Sequence, residues 1–128
     1  DVNLRDAGSD RVRVLAINTP ELNQSDPWGP DCWAEEATAR AEELLPEGTD
    51  VWLTFDGQEE DEFGRLLAYV FVGRDSAGVS FQDSFNFGMV REGHAFTFFF
   101  DNNRSFEDIL RAAEQQAAAA DLGVWSCD

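Results

Sequence analysis

The sequence has no lysine. Its 9 basic residues are all arginines and stand against 26 aspartates and glutamates, for a formal net charge of −17. Proteins that hold nucleic acid usually carry a basic face, so composition by itself argues against a nucleic-acid ligand. Adaptation to salty surroundings is one interpretation of the charge, because ~1 M salt shortens the Debye length to about 3 Å and makes an acidic surface tolerable.

Long apolar runs are also absent. No stretch approaches the ~20 residues that a membrane helix needs, so no membrane span is expected. The first residues, DVNLRDAG, lack a basic start and an apolar core, so a signal peptide is either already removed or not part of this sequence. With 128 residues, of which 43% are apolar, we expect one domain over residues 1–128.

Cysteine is scarce, and neither Cys32 nor Cys127 stands in a metal-binding Cys-x-x-Cys pattern. Two lone cysteines are often buried thiols. A cysteine so close to the end of the sequence has little core to join, however, and a disulfide that ties the tail to the first helix is our preferred interpretation. Such a bond implies an oxidising compartment and could stabilise the fold by up to ~4 kcal/mol on the chain-entropy model.

The order of the predicted elements indicates an α+β protein. A capping-box-like start at Ser105 is expected to begin the last helix. The order is strands, a helix, more strands and then helices, without regular βαβ alternation, which favours a closed or nearly closed small β-barrel with helices packed on it. The elements are a hairpin of residues 2–4 and 11–17, a helix over 32–45, strands over 51–55, 66–72 and 79–81, and helices over 83–91 and 106–120.

Three charged residues stand at the ends of these elements. Arg13 lies on the strand face that also carries Leu15 and Ile17, Glu21 follows in the turn after that strand, and Arg65 precedes the apolar strand. Two guanidiniums and one carboxylate suit phosphoryl transfer, because arginine forks match phosphate oxygens and a carboxylate can orient or deprotonate a water. Salt bridges with neighbouring acids are the alternative interpretation.

Four motifs resemble the staphylococcal nuclease family. The run RVRVLAINTPE (11–21) resembles its strand-and-turn signature, and DEFGRLLAY (61–69) resembles its Asp-x-Tyr-Gly-Arg-x-Leu-Ala-Tyr strand. The run MVREG (89–93) resembles its Leu-Val-Arg-x-Gly helix, and LGVWS (122–126) resembles its Gly-x-Trp-Ser ending. The resemblance therefore covers nearly the whole chain.

The resemblance implies an OB-fold-like five-stranded barrel with about three helices, and a calcium-dependent nuclease that cleaves DNA and RNA to 3′-phosphate products. By resemblance, Arg13 and Arg65 hold the phosphate and Glu21 acts on the attacking water. The metal ligands it implies are the side chain of residue 18, the Thr19 carbonyl and Glu21, completed by an aspartate just upstream, for which Asp1 is the candidate.

Some positions depart from the family pattern. Asn18 stands where the family has an aspartate, so the loss of a charge predicts weaker calcium binding. The resemblance also places the first barrel strand before residue 1.

On the substrate side, Phe63, Phe99 and Trp28 are the candidates for stacking on bases, with packing as the alternative. His94, the one histidine, is expected to be structural.

The resemblance favours an active nuclease that is secreted, periplasmic or at the surface of a bacterial-type cell, and that we take to be a monomer. The main alternative is a nuclease-fold module with weakened catalysis that binds nucleic acid or protein. An acidic interaction domain with no role toward nucleic acid is a third interpretation. The intact Arg13, Glu21 and Arg65 favour the enzyme over both.

Overall fold

A computed structural model describes residues 2–3, 11–23, 27–74, 78–100 and 102–127, with the first pair described for its backbone alone. Six short strands and three α-helices are present within these residues, so the α+β prediction is confirmed. The strands are β1 (Val2–Asn3), β2 (Arg11–Val14), β3 (Ile17–Asn18), β4 (Val51–Thr54), β5 (Leu66–Val72) and β6 (Phe96–Thr97), and the helices are α1 (Ala34–Leu44), α2 (Phe85–Arg91) and α3 (Glu107–Ala119).

Four of the strands form one mixed sheet in the order β1-β2-β5-β4. Strand β2 pairs antiparallel with β1, with Val12 opposite Val2, and parallel with β5, with Arg13 opposite Leu67. Strand β4 pairs antiparallel with β5. Strands β3 and β6 form a separate antiparallel ladder, so the described strands group as four and two where a five-stranded barrel was expected.

The predicted strand over 11–17 is broken in the middle, so that part of the prediction is wrong. Ala16 adopts a φ of 68°, a left-handed conformation that no regular strand contains. The chain therefore turns after Val14, and Ile17 and Asn18 pair with β6 instead of extending β2. This turn brings the residues after β2 back toward the Arg13 side chain.

The core is built around β5, whose run from Leu67 to Phe71 is buried, as the unbroken apolar pattern predicts. Helix α3 buries Leu110, Ala113 and Ala117 and packs mainly on α2, which in turn contacts β5, and α1 buries Ala34 and Ala37.

Two local predictions are wrong. Residues 81–83 form a 3-10 helix instead of a strand over 79–81, and it is Ser80 that carries the capping box, with Asp83. Ser105 does not cap α3, since its hydroxyl and its backbone N–H both donate to the Asp56 carboxylate.

The structure joins Cys32 to Cys127 in a disulfide, with their Cα atoms 6.3 Å apart. The tail also docks through its backbone, because the Val124 N–H donates to the Gly93 carbonyl at 2.8 Å. Gly93 and Gly123 approach so closely that a Cβ on either would collide with backbone of the other segment. The end of the described chain is therefore fixed to the segment before α1 and to the turn after α2.

Candidate active site

Arg13 projects from β2 and is held by the turn that follows its own strand. Its Nη1 donates to the backbone carbonyls of Val14 and of Ile17, the latter at 3.0 Å, and its Nη2 donates to the Asn18 side-chain oxygen. Among the described residues these bonds leave the Nε–H and one Nη2 proton. Arginine N–H donors of this kind bind the oxygens of a phosphate.

Arg65 stands at the start of β5, in a tight loop organised by Asp61. The Asp61 carboxylate accepts the backbone N–H groups of Phe63 and Arg65, both at 2.9 Å, and the Arg65 Nε at 2.7 Å. Burial raises the pKa of Asp61, but these hydrogen bonds outweigh it and hold the pKa below its ordinary range. Asp61 thus stays ionised and fixes the Arg65 guanidinium.

Both arginines line one small open pocket with a volume of about 150 Å³. Burial lowers the pKa of Arg13, the neighbouring Arg65 lowers it further, and Asp61 partly opposes the shift. The two guanidiniums therefore repel each other in a half-buried place, and an anion between them would relieve that repulsion. The pocket is lined by Arg13, Gln58, Asp61, Glu62, Phe63, Arg65, Leu67 and Phe100.

Glu21 lies at the surface after Pro20, and its side chain is not among those that line the pocket. Its backbone is held instead: the Glu21 N–H donates to Asp31 Oδ2 and the Asp31 N–H donates to the Glu21 carbonyl, both at 2.9 Å. The structure therefore fixes the main chain of Glu21 and leaves its carboxylate exposed to solvent.

The candidate metal ligands Asn18 and Thr19 are exposed next to Glu21, while Asp1 lies outside the described residues. Within the part of the chain that is described, no three acidic, histidine or cysteine side chains gather around one point. The donors at this turn are an amide oxygen, a backbone carbonyl and one carboxylate, which are of the kind that calcium takes. These three donors fit calcium in type, and together they form an incomplete shell with a single negative charge. The amide oxygen of Asn18 also accepts a hydrogen bond from Arg13.

The three candidate stacking residues lie in different surroundings. Phe63 is exposed, lines the pocket, and has the Arg65 guanidinium 5.9 Å from its ring centre. Phe99 packs against the core with the Arg111 guanidinium 4.8 Å above its ring, so the ring of this run that reaches the pocket belongs to Phe100. Trp28 is 92% exposed on the loop before α1.

His94 has a structural environment. Its Nδ1 accepts the Trp33 indole N–H at 3.0 Å, and its Nε2 lies 3.6 Å from a Glu92 oxygen. Burial is the main reason that its pKa is lowered. These contacts join the start of α1 to the turn after α2, away from the residues that line the pocket.

Asp61 and Phe100 also line the pocket, although their sequence positions did not single them out as site residues. Asp61 had a readable signal, because an aspartate three residues before a glycine favours a turn in which its side chain accepts nearby N–H groups. Phe100 had no such signal. Alternation predicts which way a side chain points only within a paired strand, and regular pairing in β6 ends at Thr97.

The family model described as "Staphylococcal nuclease homologue" matches residues 11–127, nearly the whole chain. The chain belongs to the staphylococcal nuclease family. The domain of this family is an OB-fold, so the OB-fold prediction is confirmed. The pocket with Arg13 and Arg65 therefore belongs to a member of this nuclease family.

Curated relatives share this sequence at moderate identity. Endonuclease YncB of Bacillus subtilis (strain 168) is 35% identical over 123 residues, which cover 91% of this chain and 52% of that protein. SPbeta prophage-derived endonuclease YokF of the same strain is also 35% identical and is covered over 37% of its length. Thermonuclease of Staphylococcus hyicus is 28% identical over 95% of this chain and 66% of that protein. The chain thus spans between about a third and two thirds of these relatives.

None of the helices among the described residues combines the length and the apolarity that crossing a membrane requires.

Proposed function

We propose that this staphylococcal nuclease family member is a calcium-dependent nuclease that hydrolyses phosphodiester bonds of DNA, RNA or both and leaves 3′-phosphate products. Support comes from the family match and from relatives whose names are endonuclease and thermonuclease. Support from the structure of this chain comes from the pocket that Arg13 and Arg65 line.

The observation that carries the proposal is the pair of guanidiniums at that pocket. The two half-buried guanidiniums repel each other, Asp61 offsets part of that repulsion, and a bound anion would offset more of it. Arg13 keeps its Nε–H and one Nη2 proton for a ligand, and Arg65 is oriented by Asp61. A phosphodiester has the charge and the paired oxygens that such a place binds.

In the proposed reaction, Arg13 and Arg65 hold the phosphate and stabilise the charge that grows on its oxygens as water attacks phosphorus in line. Glu21 accepts a proton from the attacking water. The bond from phosphorus to the 5′ oxygen breaks, the departing oxygen gains a proton, and the phosphate stays on the 3′ side.

The proposed cation is calcium, held by the Asn18 side-chain oxygen, the Thr19 carbonyl and Glu21, with Asp1 as a further candidate ligand. When bound, it would polarise a phosphate oxygen and add positive charge beside the reacting phosphorus. Because Asn18 is neutral, we expect a calcium requirement higher than that of a site with an aspartate at this position.

Phe63 is the best placed candidate for stacking on a base, since it is exposed at the pocket with Arg65. Trp28 and Phe99 remain weaker candidates. The disulfide favours a secreted, periplasmic or cell-surface location, where such bonds persist. We propose a monomer.

A second candidate function is a nuclease-fold module that binds nucleic acid or protein with little catalysis. The specific observation in favour of this module is that Asn18 lacks an acidic group and that its side-chain oxygen accepts a hydrogen bond from Arg13. The metal turn would then be a structural support for the phosphate-binding arginine.

The experiment that separates the two is a cleavage and binding assay on single-stranded DNA and RNA, in calcium and in excess chelator, with the ends of the products mapped. Calcium-dependent cleavage to 3′-phosphate ends supports the enzyme. Binding without cleavage at every calcium concentration supports the module, and neither binding nor cleavage contradicts both.

A further inference from the structure

Asp31 holds Glu21 from both sides of its backbone. Its Oδ2 accepts the Glu21 N–H and its own N–H donates to the Glu21 carbonyl, each at 2.9 Å. Its other oxygen, Oδ1, accepts the Asn23 side-chain amide at 3.1 Å. One aspartate therefore closes the loop of residues 21–31 at its base and sets the path of the chain on both sides of Glu21.

Asp31 is itself fixed to the rest of the fold. The Ala34 N–H at the start of α1 donates to the Asp31 carbonyl at 3.1 Å. Cys32 comes next in the chain and is bonded to Cys127, and Trp33 donates to His94. Trp33 also adopts a left-handed φ of 73°, and the contacts around it hold the backbone in this unfavourable conformation.

We infer that Asp31 is a positioning residue for Glu21 in the cleavage reaction. The inference rests on the proposed function, in which Glu21 acts on the attacking water. A carboxylate that must sit within hydrogen-bonding distance of a water depends on its backbone being held, because a displacement of about 1 Å can cost on the order of 100-fold in rate. Pro20 limits the main chain before Glu21, and Asp31 fixes the main chain at Glu21 itself.

The test compares Asp31→Ala and Asp31→Asn with the wild type in the full chain, and uses Asp108→Ala on the exposed first turn of α3 as the matched control. The measurements are kcat and KM on fluorescent single-stranded DNA in saturating calcium, thermal unfolding, and the amide proton shift and hydrogen exchange of Glu21 by NMR. All rates are measured where every variant is folded.

Asp31→Ala is expected to lower kcat by about 10-fold to 100-fold with KM changed by less than about twofold, and to move the Glu21 amide upfield with faster exchange. Asp31→Asn should lie between Asp31→Ala and the wild type, because its single side-chain oxygen can keep one of the two accepted bonds. Asp108→Ala should match the wild type in all three measurements.

Measurements in the Glu21→Gln background distinguish the positioning of Glu21 by Asp31 from a merely structural role of Asp31. If Asp31 acts through Glu21, Asp31→Ala lowers the residual rate there by less than about twofold, whereas general loosening of the fold lowers it as much as in the wild type. A normal kcat in Asp31→Ala, an undisturbed Glu21 amide, or a full additional loss in the double variant would overturn the inference.

Failure of the proposed function gives a different result. If the wild type does not cleave in calcium, the nuclease proposal fails, and the catalytic role of Asp31 fails with it. The NMR measurements still show whether Asp31 holds Glu21, so the loss of the reaction and the loss of the backbone contact are separate outcomes.

Discussion

Arg13 connects the two halves of the candidate site. Its Nη1 and Nη2 are bound to the turn that carries Asn18, and its side chain lines the pocket that it shares with Arg65. Asn18 carries no charge, but its side-chain oxygen accepts a hydrogen bond from the Arg13 guanidinium. At the scale of single residues, the site is thus better supported on its phosphate-binding side than on its metal-binding side.

Asp61 provides a residue-scale prediction. Asp61→Asn should lower kcat by about tenfold and also lower the unfolding free energy by about 1–2 kcal/mol, because the loop N–H groups and the Arg65 guanidinium lose a charged acceptor. Asp50→Asn is the matched control, since Asp50 also accepts an arginine Nε at 2.7 Å, from Arg74, in an exposed pair. Steady-state cleavage kinetics measure the effect, and equal rates for the two variants would contradict it.

At the scale of elements, the buried Asn86 of α2 bridges β5 and the turn after β2. Its Oδ1 accepts the Val70 N–H at 2.8 Å and its Nδ2 donates to the Leu15 carbonyl at 2.7 Å. This bond also supports the turn at Leu15 and Ala16 that bends the chain toward Arg13. The strand break and the buried amide therefore belong to one arrangement that fixes the site.

Asn86→Ala should destabilise the fold by about 2–4 kcal/mol, because it leaves a buried N–H and a buried carbonyl without their partner. Urea unfolding measures the change. The exposed Asn102→Ala serves as the control, with a change within about 0.5 kcal/mol. A similarly small loss for Asn86→Ala would show that the Val70 N–H and the Leu15 carbonyl find other partners.

Asp56 joins β5 to the start of α3, and its contribution depends on pH. Burial raises its pKa, but hydrogen bonds from Tyr69 at 2.6 Å and from Ser105 outweigh it, so the pKa is lowered. A lowered carboxylate pKa stabilises the fold above the unfolded value of about 3.9, and this stabilisation is lost as pH falls through the folded value.

Asp56→Asn should therefore cost about 2 kcal/mol of unfolding free energy at pH 7, with the difference from the wild type shrinking below about pH 4. Chemical denaturation across this pH range checks the sign, with the exposed Asp121→Asn as the control. A difference that grows on acidification would contradict the assignment of the charged form as the stabilising one.

Sequence patterns predicted the elements with strong periodicity and failed where one residue changes the path of the chain. The apolar run of β5 and the stripe of α3 were predictable, because burial dictates both. The break at Ala16 was not, since alanine carries no local signal for a left-handed conformation. Arg13 and Arg65 could be named from motifs, but their shared pocket depends on the parallel pairing of β2 with β5, which is a long-range contact.

At the scale of the whole molecule, the net charge of −17 opposes the approach of a nucleic acid. The pocket lining itself contains Arg13 and Arg65 together with Asp61 and Glu62, so the local charge is balanced while the surrounding field is negative. Salt and divalent cations would screen that field and leave the half-buried arginines less affected.

The salt dependence should therefore be opposite to that of a basic nuclease. We predict that KM for long single-stranded DNA falls as salt rises from ~0.05 M toward ~1 M, because the repulsion is screened. A dinucleotide with a single phosphodiester should show a much weaker trend. If KM rises steeply with salt, as for proteins that release counterions on binding, long-range repulsion does not control substrate entry.

The most direct test of the central claim is the single-turnover cleavage rate of Glu21→Gln in saturating calcium, beside the wild type and the exposed α1 control Glu36→Gln. The proposed role of Glu21 predicts a loss of about 10²–10⁴-fold for Glu21→Gln, with substrate binding retained and the control unchanged. Cleavage by Glu21→Gln at the wild-type rate would contradict it.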